Sequence, residues 1–102
     1  MNQIPIENNA LLTIDKFQIT GTKFIAGDVL ENVFDRQERA RKLRHALILG
    51  NIYKHSVLLF FKNNLEQVMK TEAKVRSVTE KYVILKNNIH IPISSILNIE
   101  YM

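Results

Sequence analysis

The sequence predicts an α+β domain in which a basic helix leads into a set of short antiparallel strands. Apolar residues recur at helical spacing before Gly50, whereas beyond it apolar and polar residues alternate with a period of two. The chain has 102 residues, the usual length of one domain. We therefore expect a single domain made of an N-terminal extension (1–27) with one or two short strands, a helical segment (28–50) and a β region (51–102).

The helix is predicted from its start and stop signals and from an apolar stripe. Asp35 and Glu38 have the spacing of an N-terminal capping box. Asp28 and Glu31 have the same spacing and offer an earlier start. Gly50 is a typical stop signal, so the helix is expected to run from about 29 or 36 to 49. The residues expected to form its buried stripe are Ala40, Leu43 and Leu47.

Five strands are predicted after the helix. The first, 56–62, is apolar on both faces, which predicts that it is covered on both faces or paired with a partner. A long strand, 67–79, follows the Asn63-Asn64 turn, and a bulge or bend near Arg76-Ser77 would return Val78 to the core. The remaining predictions are strands at 82–86, 89–91 and 96–101, a tight connection at Glu80-Lys81, a two-residue hairpin turn at Asn87-Asn88 and one helical turn at Ser94-Ser95.

Residues 36–101 resemble the small five-stranded antiparallel barrels of the SH3-like kind, and especially the Sm/Hfq type with its N-terminal helix. The segment 75–86 is similar to the second and third strands of such barrels, and 91–99 resembles their fourth strand, short turn and fifth strand. The stretch 40–51, taken with 91–93, also resembles a family of short uncharacterised bacterial proteins. The resemblance implies an SH3-like or Sm-like barrel over 51–102.

Two features depart from the Sm pattern. Sm proteins place a glycine at the bend of the second strand, and no glycine follows Gly50 here. Hfq-type proteins carry a Tyr-Lys-His run between their last two strands, where it contacts RNA. The run Tyr53-Lys54-His55 precedes the first barrel strand instead, so the resemblance implies no RNA contact for it.

The positive charge is concentrated in the helix. The segment 36–44 carries five cations and one glutamate, a charge of +4 that equals the formal net charge of the whole chain. A localised basic segment favours an anionic partner, so we predict binding to RNA or DNA phosphates. The residues expected to contact phosphates are Arg39, Arg41, Lys42, Arg44, Lys54, Lys74 and Arg76.

A homo-oligomeric or protein-binding module is the alternative interpretation. Small barrels have strand edges that must be covered, and self-association through an edge strand or the helix would cover them. In that case the helix cations would only make the helix surface soluble. The two interpretations can be combined, because an oligomer would present several copies of a small basic patch. Only Tyr53 and Tyr101 are expected to be exposed aromatics, while Phe60, Phe61 and Tyr82 are expected in the core.

The sequence offers little support for catalysis, metal binding or a membrane partner. There are no cysteines, which excludes disulfides and cysteine-ligated zinc and fits a cytoplasmic location. His45, His55 and His90 lack ligand spacing, and no nucleophile–base pair or glycine-rich phosphate loop stands out. The longest apolar run, 57–61, is too short to span a membrane. We therefore expect a non-enzymatic protein with no cofactor, no metal and no small-molecule substrate.

Overall fold

The computed structural model describes residues 11–102, which form one α-helix and seven β-strands in two sheets. The helix α1 spans Val33–Asn51. The strands are β1 (Leu11–Thr13), β2 (Val57–Lys62), β3 (Val68–Ala73), β4 (Val75–Val78), β5 (Tyr82–Leu85), β6 (Ile89–Pro92) and β7 (Ile96–Tyr101). Short 3-10 helices lie at Lys16–Gly21, Lys86–Asn88 and Ile93–Ser95. The predicted α+β class is confirmed.

The strands divide into a sheet of order β1-β3-β2-β7 and a sheet of order β4-β5-β6. Neighbouring strands are antiparallel, except that β1 runs parallel to β3. One residue, Lys74, separates β3 from β4, so the chain passes directly from one sheet into the other. Within residues 11–102 the two sheets do not close into a barrel, and the predicted five-stranded barrel is not confirmed.

The predicted bulge near Arg76-Ser77 is confirmed. The register of β4 against β5 shifts between Val75 and Ser77, which leaves Arg76 as the extra residue of a bulge. Val78 consequently packs against the core cluster. The predicted two-residue hairpin turn at Asn87-Asn88 is wrong in length, because Leu85 pairs with Ile89 and three residues, 86–88, form the connection. Asn87 and Asn88 do take φ values of 70° and 61°, a conformation that asparagine tolerates better than most residues.

The helix begins and ends at different residues from those predicted. Asn32 is the N-cap, and its side-chain oxygen accepts a hydrogen bond from the Phe34 N–H at 2.7 Å. Gly50 lies inside the helix and is not its stop signal, because the chain continues helical to Asn51. The buried stripe also differs, since Ala40 is exposed. The buried residues of α1 are Arg39, Leu43, Ala46 and Gly50.

The segment 11–27 packs onto both sheets. β1 pairs with β3, and the 3-10 helix Lys16–Gly21 contacts β6. Ile19 from this 3-10 helix is 1% exposed and belongs to the core cluster, while the Phe24 ring lies 5.7 Å from that of Phe61. The described part of the predicted N-terminal extension is therefore part of the folded domain; residues 1–10 lie outside the described residues.

β2 is a central strand, which explains why it is apolar on both faces. Its Val57, Leu59 and Phe61 side chains point into the core and are fully buried. On its other face Phe60 is also buried, between the register partners Lys70 on β3 and Asn98 on β7. Because β2 lies between two strands, it offers no free edge to another chain.

Thr71 carries a buried hydroxyl on β3 that has no hydrogen-bond partner among the described residues. An unpaired buried polar group costs about 1–3 kcal/mol. We therefore expect Thr71→Val, which keeps the side chain's shape, to raise the free energy of unfolding by about 1 kcal/mol in denaturant titrations.

Thr79→Val is the matched control for this substitution. The Thr79 hydroxyl accepts a hydrogen bond from the Tyr82 N–H at 2.9 Å, so the same chemical change should lower stability there. If Thr71→Val and Thr79→Val lower stability equally, the Thr71 hydroxyl is satisfied in solution and this account of it is wrong.

Candidate nucleic-acid interface

Arg39, predicted to contact phosphate, lies inside the protein. It is 6% exposed, and its two terminal nitrogens donate to the Asp28 carboxylate at 2.7 and 2.9 Å. One of those nitrogens also donates to the Ile96 carbonyl at 3.0 Å. The guanidinium therefore joins the segment before α1 to β7. It has no surface left for a ligand, and we remove it from the predicted site.

Asp28 is held in its charged form by this arrangement. Burial by itself raises the pKa of Asp28, but the hydrogen bonds from Arg39 and from the Leu30 N–H outweigh that effect. The positive charges of Arg39 and Arg36 act in the same direction, so the pKa of the carboxyl lies below its ordinary value. Asp28 is thus the acidic partner of the buried ion pair with Arg39, and it is not the helix N-cap that the sequence offered as an earlier start.

Arg41 and Lys42 are at the surface but already have partners. The Arg41 guanidinium binds the Glu38 carboxylate on the preceding turn, with a shortest contact of 2.6 Å. This neighbour holds the pKa of the Glu38 carboxyl below its ordinary value. Lys42 donates to the Asn98 side chain of β7 at 2.9 Å. A ligand would have to compete for both cations.

Lys54 and Arg76 are brought together where α1 ends. The Asn51 side chain donates to the Arg76 carbonyl at 3.1 Å, which fixes β4 beside the last helical turn. The Lys54 ammonium donates to the Asn51 carbonyl at 3.1 Å. Lys54 can reach back to the helix end because its φ of 59° turns the chain sharply after the helix. Both cations are exposed.

Lys74 joins the same region, together with a lysine that sequence reasoning did not select. Val75 of β4 pairs with Leu85 of β5. Lys74 and Lys86 are the next residues outward along the chain from this pair, so their backbones lie near each other at the end of the ladder. Lys86 is exposed and Lys74 half-buried, beside the fully buried Val75.

Four cations therefore come from chain segments that lie near the end of α1, and we refer to Lys54, Lys74, Arg76 and Lys86 as the basic patch. Among residues 11–102 none of the four forms an ion pair. The nearest carboxylate along the strand is that of Glu72, which lines a surface depression with Lys54 and His55. Arg44 is exposed two turns before Asn51 on the same side of α1, about 10 Å from the patch along the helix axis.

Of the seven predicted contact residues, the structure groups Lys54, Lys74 and Arg76, with Arg44 nearby, and separates the other three. The expectation about aromatics is partly wrong, because Tyr82 is 41% exposed. Lys86 could have been found from the sequence: the connection at Glu80-Lys81 and the bulge near Arg76-Ser77 together set the register of β4 against β5, which brings Lys86 near Lys74. Tyr53, at 60% exposure, lies beside the patch as an exposed aromatic, as predicted.

The described residues offer no alternative built from metal ligands. No group of three or more His, Asp or Glu side chains in residues 11–102 is arranged to hold a metal ion. Over the same residues, α1 included, no helix combines the length and apolar character needed to cross a membrane. The molecule is thus a small α+β domain with a basic patch where its helix ends.

Comparisons with protein-family models, with curated proteins and with solved structures gave no match for this chain.

Proposed function

We propose that the protein binds the phosphate backbone of nucleic acids through the basic patch and has no catalytic activity. The observation that carries the proposal is the clustering of chain segments that bear four cations where α1 ends: Lys74 and Lys86 flank the Val75–Leu85 pair, Lys54 and Arg76 both lie beside Asn51, and none of the four forms an ion pair among the described residues. Like charges that lie near one another repel each other. A polyanion removes that repulsion when it binds.

The location of the patch supports a backbone ligand. Lys54 comes from a loop, Arg76 from a strand bulge and Lys86 from a turn, and all three are exposed. Each neutralised phosphate releases counterions, which makes affinity depend steeply on salt. With four contacts, log affinity should fall with log salt at a slope of about −3.

The test is an oligonucleotide titration at about 50 to 200 mM salt, followed by fluorescence anisotropy, with variants of the patch. Lys54→Gly is the single substitution that removes a patch charge with the least effect on the fold. At a φ of 59° glycine removes the charge without straining the backbone, so unfolding free energy should stay within about 0.5 kcal/mol. Combined with Arg76→Gln it should weaken binding roughly tenfold or more and make the salt slope shallower by 1 to 2.

Lys23→Gln is the control for this experiment. The Lys23 carbonyl accepts from the Asn64 N–H at 2.8 Å, which places this exposed lysine at the far end of β2 and β3 from the patch. Lys23→Gln removes one positive charge, as Lys54→Gly does, and should leave the affinity for the oligonucleotide and the salt slope nearly unaltered. If Lys23→Gln and Lys54→Gly weaken binding equally, the effect depends only on net charge and the proposal is wrong. The proposal is also wrong if the protein does not bind the oligonucleotide at about 50 mM salt.

A second candidate function is self-association through the outer face of α1. Phe34, Arg41 and Ile48 recur at every seventh position and line the side of the helix opposite its buried stripe. Phe34 is 75% and Ile48 is 48% exposed, an unusual concentration of apolar surface on one helix. If the oligonucleotides do not bind, this face becomes the favoured functional surface, and light scattering on the same samples would reveal an oligomer.

The proposal also retains the Sm-like arrangement as a hypothesis for the fold. The order β7-β2-β3 followed by β4-β5-β6 supports it, because β3 and β4 would form one bent strand if the ladder continued through Lys74. The 3-10 turn Ile93–Ser95 between β6 and β7 is also compatible with it. The resemblance to short bacterial proteins and the cytoplasmic location both stay predictions.

A further inference from the structure

We infer that the nucleic acid taken by the basic patch is single-stranded, with one base stacked on Tyr53. This inference rests on the proposed function and adds a substrate class to it. Phosphate contacts alone do not distinguish single strands from duplexes, whereas a free aromatic ring beside them does, because only an unpaired base presents its face.

Tyr53 lies at the patch itself. It is the residue before Lys54, whose ammonium donates to the Asn51 carbonyl at the end of α1 at 3.1 Å. The ring is 60% exposed, and its one aromatic neighbour is His55, with centroids 6.2 Å apart and planes tilted by 41°. Ile52, 67% exposed, extends this apolar surface. A base stacked here would leave its phosphates within reach of the cations.

The other two tyrosines are engaged within the fold. The Tyr101 hydroxyl donates to the Lys42 carbonyl at 3.2 Å, and its ring packs against His45 at 4.9 Å. Tyr82 packs edge-on against His90 at 5.5 Å and begins β5, at the opposite end of that strand from Lys86. Tyr53 is therefore the tyrosine whose position combines exposure with nearby unpaired cations.

A duplex would gain little from this ring. Its bases are stacked and paired, and exposing one costs a few kilocalories per mole. Single strands carry no such cost, and stacking on an aromatic side chain strengthens their binding at every sequence because each base has a π-face. The ring therefore adds affinity for single strands and leaves duplex affinity to the cations.

The experiment measures the affinity of the full chain for a fluorescent 12-nucleotide single strand and for the corresponding duplex. Tyr53→Leu keeps apolar area but removes the aromatic face, so single-strand affinity should fall about tenfold while duplex affinity changes less than about twofold. The salt slope should stay the same, because no cation is lost. Tyr53→Phe should retain single-strand binding, since stacking does not need the hydroxyl.

The outcomes separate this inference from the proposed function. If the unaltered protein binds both probes and Tyr53→Leu weakens both equally or neither, the stacking inference is overturned while phosphate binding stands. A preference of the unaltered protein for the duplex also overturns it. If the unaltered protein binds neither probe, both proposals fail together. Thermal unfolding of Tyr53→Leu should match the parent, because the ring is mostly exposed.

Discussion

Gly50→Ala should lower the free energy of unfolding by about 2–3 kcal/mol, although the same change inside a helix ordinarily stabilises by about 1 kcal/mol. A Cβ built on Gly50 would collide with the carbonyl oxygen of Val75 and approach that residue's nitrogen to 3.1 Å. Both atoms belong to the backbone of β4, which cannot rotate away as a side chain could. The helix would have to move off the sheet.

Denaturant titration of Gly50→Ala and Gly21→Ala measures this effect. A Cβ at Gly21 meets no atom within 4 Å, so the control should be neutral or stabilising by about 0.5 kcal/mol. A gain in stability for Gly50→Ala would mean that helix propensity outweighs the contact and that α1 does not approach β4 this closely. Because Asn51 holds Arg76 beside the same contact, Gly50→Ala should also disturb the basic patch.

Asp28→Ala should destabilise the protein by about 3 kcal/mol, because it leaves the Arg39 guanidinium buried without a counter-charge. Arg39 is 6% exposed, so water cannot replace the two hydrogen bonds that its guanidinium donates to Asp28. Arg39→Met should cost less, since Asp28 is 19% exposed and keeps its bond from the Leu30 N–H at 2.8 Å. The double variant Asp28→Ala/Arg39→Met should be more stable than Asp28→Ala alone.

This ion pair also gives stability a defined pH dependence. The pKa of Asp28 is lower in the folded protein than in the unfolded chain, where it is about 3.9. The contribution is therefore complete above about pH 4 and is lost as pH falls through the folded-state pKa. Unfolding followed by circular dichroism at successive pH values should show a shallower acid transition for Asp28→Ala/Arg39→Met. Equal acid sensitivity of parent and double variant would assign the transition to other carboxylates.

Local patterns were sufficient to predict most of the β region. The alternation in 56–62, the bulge at Arg76-Ser77 and the asparagine turn each follow from properties of a few neighbouring residues. The division into two sheets did not follow, because it depends on which strand ladders stay continuous past Lys74. The pairing of β1 with β3 joins residues 57 positions apart, beyond the reach of any local pattern.

The helix shows where periodicity alone misleads. Arg39 occupies the buried stripe of α1 with Leu43 and Ala46, but its charge made it a natural choice for the surface. Its burial depends on Asp28, which precedes the helix, and on a carbonyl of β7. Gly50 was interpreted as a stop signal because glycine favours helix ends, whereas here the approach of β4 requires it.

The contacts of α1 with β7 have a consequence for the order in which the molecule can form. Arg39 and Lys42 bond to Ile96 and Asn98, which follow them by 57 and 56 positions. The helix can develop locally within about a microsecond, yet these two bonds require closure of a long loop that carries most of the sheet residues. These two bonds must therefore form after β7 is in place, whereas the contacts of α1 with β4 close a shorter loop and can form earlier.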